Sequence, residues 1–181
     1  FLEYLDCSNN LLNEINLENN TFLKQLNCSS NNLSNIEISN NTELEYLNAS
    51  NNLLSEIDIS NNIDLSYFDC SSNELSTIDI SNNTLLSFFY SNNNNANCIT
   101  VWDVDFASLA ETMCNNEGCF VKDDNATWSI DCGSLNFESH NFTIPGLIRG
   151  YNILGKNIKS HTLSIEIYKN GFAMKKFILN H

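Results

Sequence analysis

Apolar residues recur every 21 positions through the first hundred residues. One column reads Leu2, Leu23, Leu44, Leu65 and Leu86; a second reads Leu5, Leu26, Leu47, Phe68 and Phe89; a third reads Cys7, Cys28, Ala49 and Cys70. After a constant asparagine (Asn10, Asn31, Asn52, Asn73, Asn94) follow Leu12, Leu33, Leu54 and Leu75. Each copy then closes on Ile15, Ile36, Ile57 or Ile78 and on Leu17, Ile38, Ile59 or Ile80. Four copies are clean and a fifth decays after Leu86. Self-similarity at so short a period is the signature of stacked coils.

Within each copy the last two apolar positions of either half are two residues apart, as with Leu5 and Cys7 or Ile15 and Leu17. That is strand alternation with one face inward. β-Branched Ile dominates the second half, as a pleated surface prefers. No helix of ten residues fits between the halves. The pattern therefore predicts two short parallel strands per 21-residue coil, with coils stacked about 4.8 Å apart around a ladder of Leu and Ile. Two asparagine columns, Asn10 to Asn94 and Asn20, Asn41, Asn62 and Asn83, end the strands where the chain must turn. Their amides are expected to satisfy turn backbone groups and to bond one another along the stack.

The motif L-x-x-L-x-C-x-x-N followed by L-x-x-I-x-L-x-x-N resembles the leucine-rich repeat, and more closely its short, nested 21-residue bacterial form. The resemblance covers residues 1 to about 101. It implies a mainly β solenoid whose exposed strand face binds a protein or a glycan. Residues 98–132 resemble the C-terminal cap of such arrays in Bacteroidetes-type secreted proteins, through Cys98, Ile99, Val101, Asp103, Trp128, Asp131 and Cys132. The tail, with Tyr151, Asn152, Leu154, Gly155 and then Lys175, Lys176, Phe177 and Ile178, is similar to the sorting domain of type IX secretion. The expected division is 1–97 repeats, 98–141 cap and 142–181 a small β appendage.

Reading the first strand outward gives Tyr4, Gln25, Tyr46, Tyr67 and Phe88 in one column, and Asp6, Asn27, Asn48, Asp69 and Tyr90 in the next. Aromatics with polar tips suit recognition surfaces, and flanking carboxylates and amides suit peptide groups or sugar hydroxyls. These columns are the candidate binding residues; simple pairing of Tyr along a parallel ladder is the alternative. On the second strand, Asn16, Glu37, Asp58 and Asp79 read as solvated acidic surface, with a Ca²⁺ site as the sharper alternative.

The seven cysteines fall into two sets. Cys7, Cys28 and Cys70 share a column with Ala49, a small inward position that a free thiol fills as a compact hydrophobe. Cys98, Cys114, Cys119 and Cys132 cluster beyond the repeats and allow three disulfide pairings. Cys98 with Cys132 and Cys114 with Cys119 is the favoured one, and a zinc site including His140 is the alternative. Disulfides place the chain in an oxidising compartment, secreted or at the cell surface. The helix expected in this stretch is FASLAETM, starting near Asp105 or Ser108. Val101, Trp102, Val104, Phe106 and Leu109 are expected to cover the solenoid end.

Asparagine fills 34 of the 181 positions, while the formal charge is −14. So acidic a chain lacks the Lys and Arg that neutralise phosphates, which argues against nucleic acid. Charge is uneven: residues 1–141 hold two Lys against 21 Asp and Glu, whereas 142–181 hold six Lys and Arg against one Glu. No run of about 18 apolar residues suggests a membrane span. The chain begins inside a repeat, which reads as a fragment or a processed form. No nucleophile, metal or phosphate-binding motif is present, so neither an enzyme nor a cofactor is expected. The function expected is a secreted or surface binding module; the competing reading is a structural spacer or appendage of a larger secreted protein.

Overall fold

The computed structural model describes residues 1–112, 114 and 118–132 in full, and the backbone of 163–169 and 172–179. The chain divides into two compact units, Phe1–Glu138 and Ser139–His181. In the first, every copy of the repeat makes one three-residue strand at its Leu5-type position. These are β1 (Tyr4–Asp6), β2 (Gln25–Asn27), β3 (Tyr46–Asn48), β4 (Tyr67–Asp69) and, after β5 (Ile78–Asp79), β6 (Phe88–Tyr90). They pair in parallel with a strict 21-residue register, Leu5 beside Leu26, Leu47, Phe68 and Phe89. The central residue of β2, β3, β4 and β6 is wholly buried, so the ladder of the sequence is the core of the fold.

The six-stranded sheet does not end at β6. Strand β7 (Cys98–Thr100) is followed by helix α1 (Val104–Thr112), β8 (Cys119–Val121) and β9 (Thr127–Ser129). β8 pairs with β6 in the same sense, Phe89 beside Phe120. The segment expected as a cap is therefore a sixth coil into which a helix has been inserted. Its return is tight at Gly118, where a Cβ would stand 2.9 Å from the Ser87 carbonyl oxygen, so only glycine fits without displacement.

Four expectations need correction in detail. The second half of the coil pairs as a strand only in the last coils, β5–β7–β9. In earlier coils asparagine amides hold that side: Asn41 Nδ2 donates to Leu17 O and Asn20 O, and Asn62 Nδ2 to Ile38 O and Asn41 O. These amides thus bond backbone of the preceding coil, including the carbonyl of the preceding asparagine in the column, and not its side chain. Helix α1 starts at Val104, two residues before the expected FASLAETM segment, because Asp103 Oδ1 accepts the N–H groups of Asp105 and Phe106 as an N-cap. Lastly, Val101 is buried, Trp102 and Val104 pack on the core and the Phe106 ring lies 5.7 Å from that of Phe120, but Leu109 stays 56% exposed. The helix is pinned from its far end: Trp128 Nε1 donates to Glu111 Oε2 at 2.8 Å, and Lys122 Nζ lies 3.2 Å from Glu111 Oε1.

Disulfides join Cys98 to Cys132 and Cys114 to Cys119, which takes up the sulfurs the zinc alternative would need; His140 lies outside the described residues. Cys7, Cys28 and Cys70 are free, the last two buried. In the second unit, β10 (Leu163–Lys169) and β11 (Phe172–Leu179) form an antiparallel pair with Glu166 beside Lys176. Of the residues that resemble a sorting domain, Lys175 to Ile178 fall in β11 and Tyr151 to Gly155 lie outside the described residues. No described helix is long and apolar enough to cross a membrane.

Candidate binding face

The outward residues of the six-stranded sheet are placed by the pleat, since their neighbours are locked inward. Five gaps at about 4.8 Å make a face about 24 Å long. On it, Tyr46 and Tyr67 stack with centroids 4.4 Å apart and planes 14° apart. Tyr67 also lies 6.2 Å from Phe88 and 5.8 Å from Tyr90. The structure thus gathers Tyr46, Tyr67, Phe88 and Tyr90 into one half-buried aromatic cluster. Tyr4 is 61% exposed on the first strand, and Gln25 separates it from Tyr46. The row is continuous from the third coil onward and interrupted before it. Burial among these rings, with the Asp69 carboxylate alongside, pushes the Tyr67 phenol well above its ordinary value, so it stays a neutral hydrogen-bonding group.

The second outward column shapes the turns that follow the strands. Asp6 Oδ1 accepts the Ser8 N–H at 2.9 Å, and Asp6 Oδ2 accepts Asn27 Nδ2 at 3.1 Å. Asp69 Oδ1 accepts the Ser71 N–H at 2.9 Å and its hydroxyl at 2.6 Å. The Ser8 contacts hold the exposed Asp6 carboxyl below the usual carboxylate range. On the opposite side Glu37, Asp58 and Asp79 accept the backbone N–H groups of Ser39, Ser60 and Ser81. Asp58 and Asp79 border a shallow depression with Ile57, Ile59, Ser60 and Asn82. Among the described residues no group of three or more His, Cys, Asp or Glu is arranged to hold a metal.

Two features of the face escaped sequence reasoning. The strand β8 extends it by one rung, with Cys119 beside Phe88 and Val121 beside Tyr90. Its signal was an apolar triplet in phase with the repeats once a ten-residue insertion is allowed. The turn that flanks the face holds a second conformational column: Asn9, Ser30, Asn51, Ser72 and Asn93 all have φ between 55° and 60°. Asparagine tolerates this left-handed region better than other side chains, which explains why Asn recurs there.

No protein-family model and no curated protein sequence matches the chain. Among solved structures, the functional domain of InlJ from Listeria monocytogenes, which includes a cysteine ladder, is similar at 36% identity with a TM-score of 0.54. The match covers 54% of this chain and 22% of that one, so the chain spans about a fifth of that structure's length. An internalin, InlF, from the same organism matches at 22% identity with a TM-score of 0.48, over 63% of this chain and 32% of its own. Coil length, parallel register and the InlJ likeness agree on one fold, a leucine-rich-repeat solenoid similar to those of the internalins.

Proposed function

We propose that the solenoid is a binding module of a secreted or surface-displayed protein, recognising another protein through the outward face of its six-stranded sheet. The observation that carries this reading is the cluster of Tyr46, Tyr67, Phe88 and Tyr90 on a rigid sheet. Rigid aromatics present a large apolar area with a polar tip at low entropic cost, which is what binding hot spots use. The binder works without cofactor or catalytic step. Its address is extracellular: two disulfides need an oxidising compartment, and the basic tail serves as the sorting signal it resembles.

The second reading is a structural spacer. Its support is that the Tyr46 and Tyr67 rings already pack on each other, which stabilises a ladder with no ligand at all. A screen of surface proteins and glycans separates the two. Tyr46→Ala with Tyr67→Ala should abolish binding while the coil stays folded, and Glu56→Ala with Asp58→Ala should leave binding unchanged. Glycan ligands alone would replace protein recognition with sugar recognition. Loss only in the acidic pair would move the site to the other edge, and no ligand would favour the spacer.

A further inference from the structure

Asp69 carries a charge that the fold does not require. In the two preceding coils the same position is Asn27 and Asn48, and both hold the turn with an amide oxygen. Asn27 Oδ1 accepts from the Ser29 N–H at 3.2 Å and its hydroxyl at 2.7 Å, and Asn48 Oδ1 from Ser50 at 3.1 and 2.7 Å. Asp69 Oδ1 does the same for Ser71, while its Oδ2 accepts no hydrogen bond from the described residues. The strand register sets three aromatic residues around Asp69. Tyr67 is two residues before it on β4, Tyr90 is its register partner on β6, and Phe88 is the partner of Tyr67. An aromatic ring presents its negative face to cations, and a carboxylate beside it adds direct charge pairing.

Among the residues described in full, no lysine side chain is left to fill this site. The two lysines there are both engaged, Lys24 with Glu3 at 3.5 Å and Lys122 with Glu111 at 3.2 Å. Residues 1–132 hold two Lys against 20 Asp and Glu, so an incoming basic segment is steered toward this unit. We propose that Tyr67, Asp69, Phe88 and Tyr90 form a subsite for an arginine side chain of a protein partner. This rests on the binding-face reading and names the chemistry that face selects. Arginine fits better than lysine because a planar, weakly hydrated guanidinium can lie along the rings while donating to the one open carboxylate oxygen.

The test uses the full chain and a capped (Gly-Arg)₄ peptide, with its citrulline counterpart as the uncharged isostere, titrated by calorimetry at low and moderate salt. The arginine peptide should bind at least tenfold more tightly than the citrulline peptide. Asp69→Asn, which keeps the turn-holding oxygen that Asn27 and Asn48 supply, should remove that preference without moving the melting midpoint. Asp58→Asn on the opposite edge should change affinity less than twofold. Equal binding of the two peptides, or equal losses in the two variants, would mean diffuse acidic attraction and would overturn the subsite. A protein partner that needs Tyr46 and Tyr67 but ignores Asp69→Asn overturns it too, yet leaves the binding-face reading standing. A chain that binds no protein and neither peptide overturns both.

Discussion

Asn52 uses every polar atom of its side chain on turn backbone, and the Leu33 N–H finds its partner there. Its Nδ2 donates to Cys28 O of the preceding coil and to Ala49 O and Ser50 O of its own, and its Oδ1 accepts the Leu33 N–H at 3.0 Å. Asn31, Asn73 and Asn94 repeat the arrangement. The second column is less complete: Asn41, Asn62 and Asn83 donate to two carbonyls each, but their buried Oδ1 atoms accept nothing from the described residues. A buried group stripped of its partner costs about 1–3 kcal/mol. Asn52→Ala should therefore lower stability by roughly that amount in chemical denaturation, because it orphans the Leu33 N–H, and Asn62→Ala should cost less because it orphans no N–H. Equal losses would show that the two corners are held by packing, not by hydrogen bonds.

At the scale of the element, Asp103 decides where the inserted helix begins. Its carboxylate caps two N–H groups of the first turn, and Ala107 is the helix residue buried against the core. Removing such a cap costs about 0.5–2 kcal/mol. Asp103→Ala should fray α1, seen as faster amide exchange at Asp105 and Phe106, while β2 and β3 keep their protection. What the sequence reveals follows from periodicity. The Leu, Ile and Asn columns repeat every 21 residues, so inward and outward positions of β1 to β6 are legible without coordinates. The sixth coil is not, because the helical insertion moves Phe120 to 31 residues after Phe89 and breaks the phase. The corner beyond β6 changes chemistry as well: Asp123 accepts the N–H groups of Asn93 and Asn94 through its two carboxylate oxygens, where earlier coils use the carbonyls of Ser29 and Ser30. Aromatic positions on the face are equally legible, but their association is not. Only the register shows that Tyr46, Tyr67, Phe88 and Tyr90 meet and that Tyr4 does not join them.

For the whole molecule, stability in a solenoid is close to a sum of coil and neighbour-interface terms, so unfolding can start at an end. The C-terminal end is the one closed covalently. Cys98 begins β7 and Cys132 follows β9, so their bond encloses the helix, β8 and the last rung of both parallel sheets. Closing a loop of 34 residues stabilises by about 3–4 kcal/mol through the unfolded state. That coil is also where Phe120 and Trp128 pack on Phe89, so its loss exposes the next apolar rung. Reduction should therefore unzip the array from this end. Amide protection should fall first at Phe120 and Trp128, then at Phe89, and last at Leu26 and Leu47. The buried thiols give a second readout in the same sample. Burial pushes the Cys28 thiol up to about 12 and the Cys70 thiol well above its ordinary value, so neither supplies a reactive thiolate while its coil is intact. Alkylation after mild reduction should reach Cys98, Cys132, Cys114 and Cys119 promptly, Cys70 later and Cys28 last. Simultaneous loss of protection at Leu26 and Phe120 would mean that the coils fold as one cooperative block and that the disulfide tightens all of it.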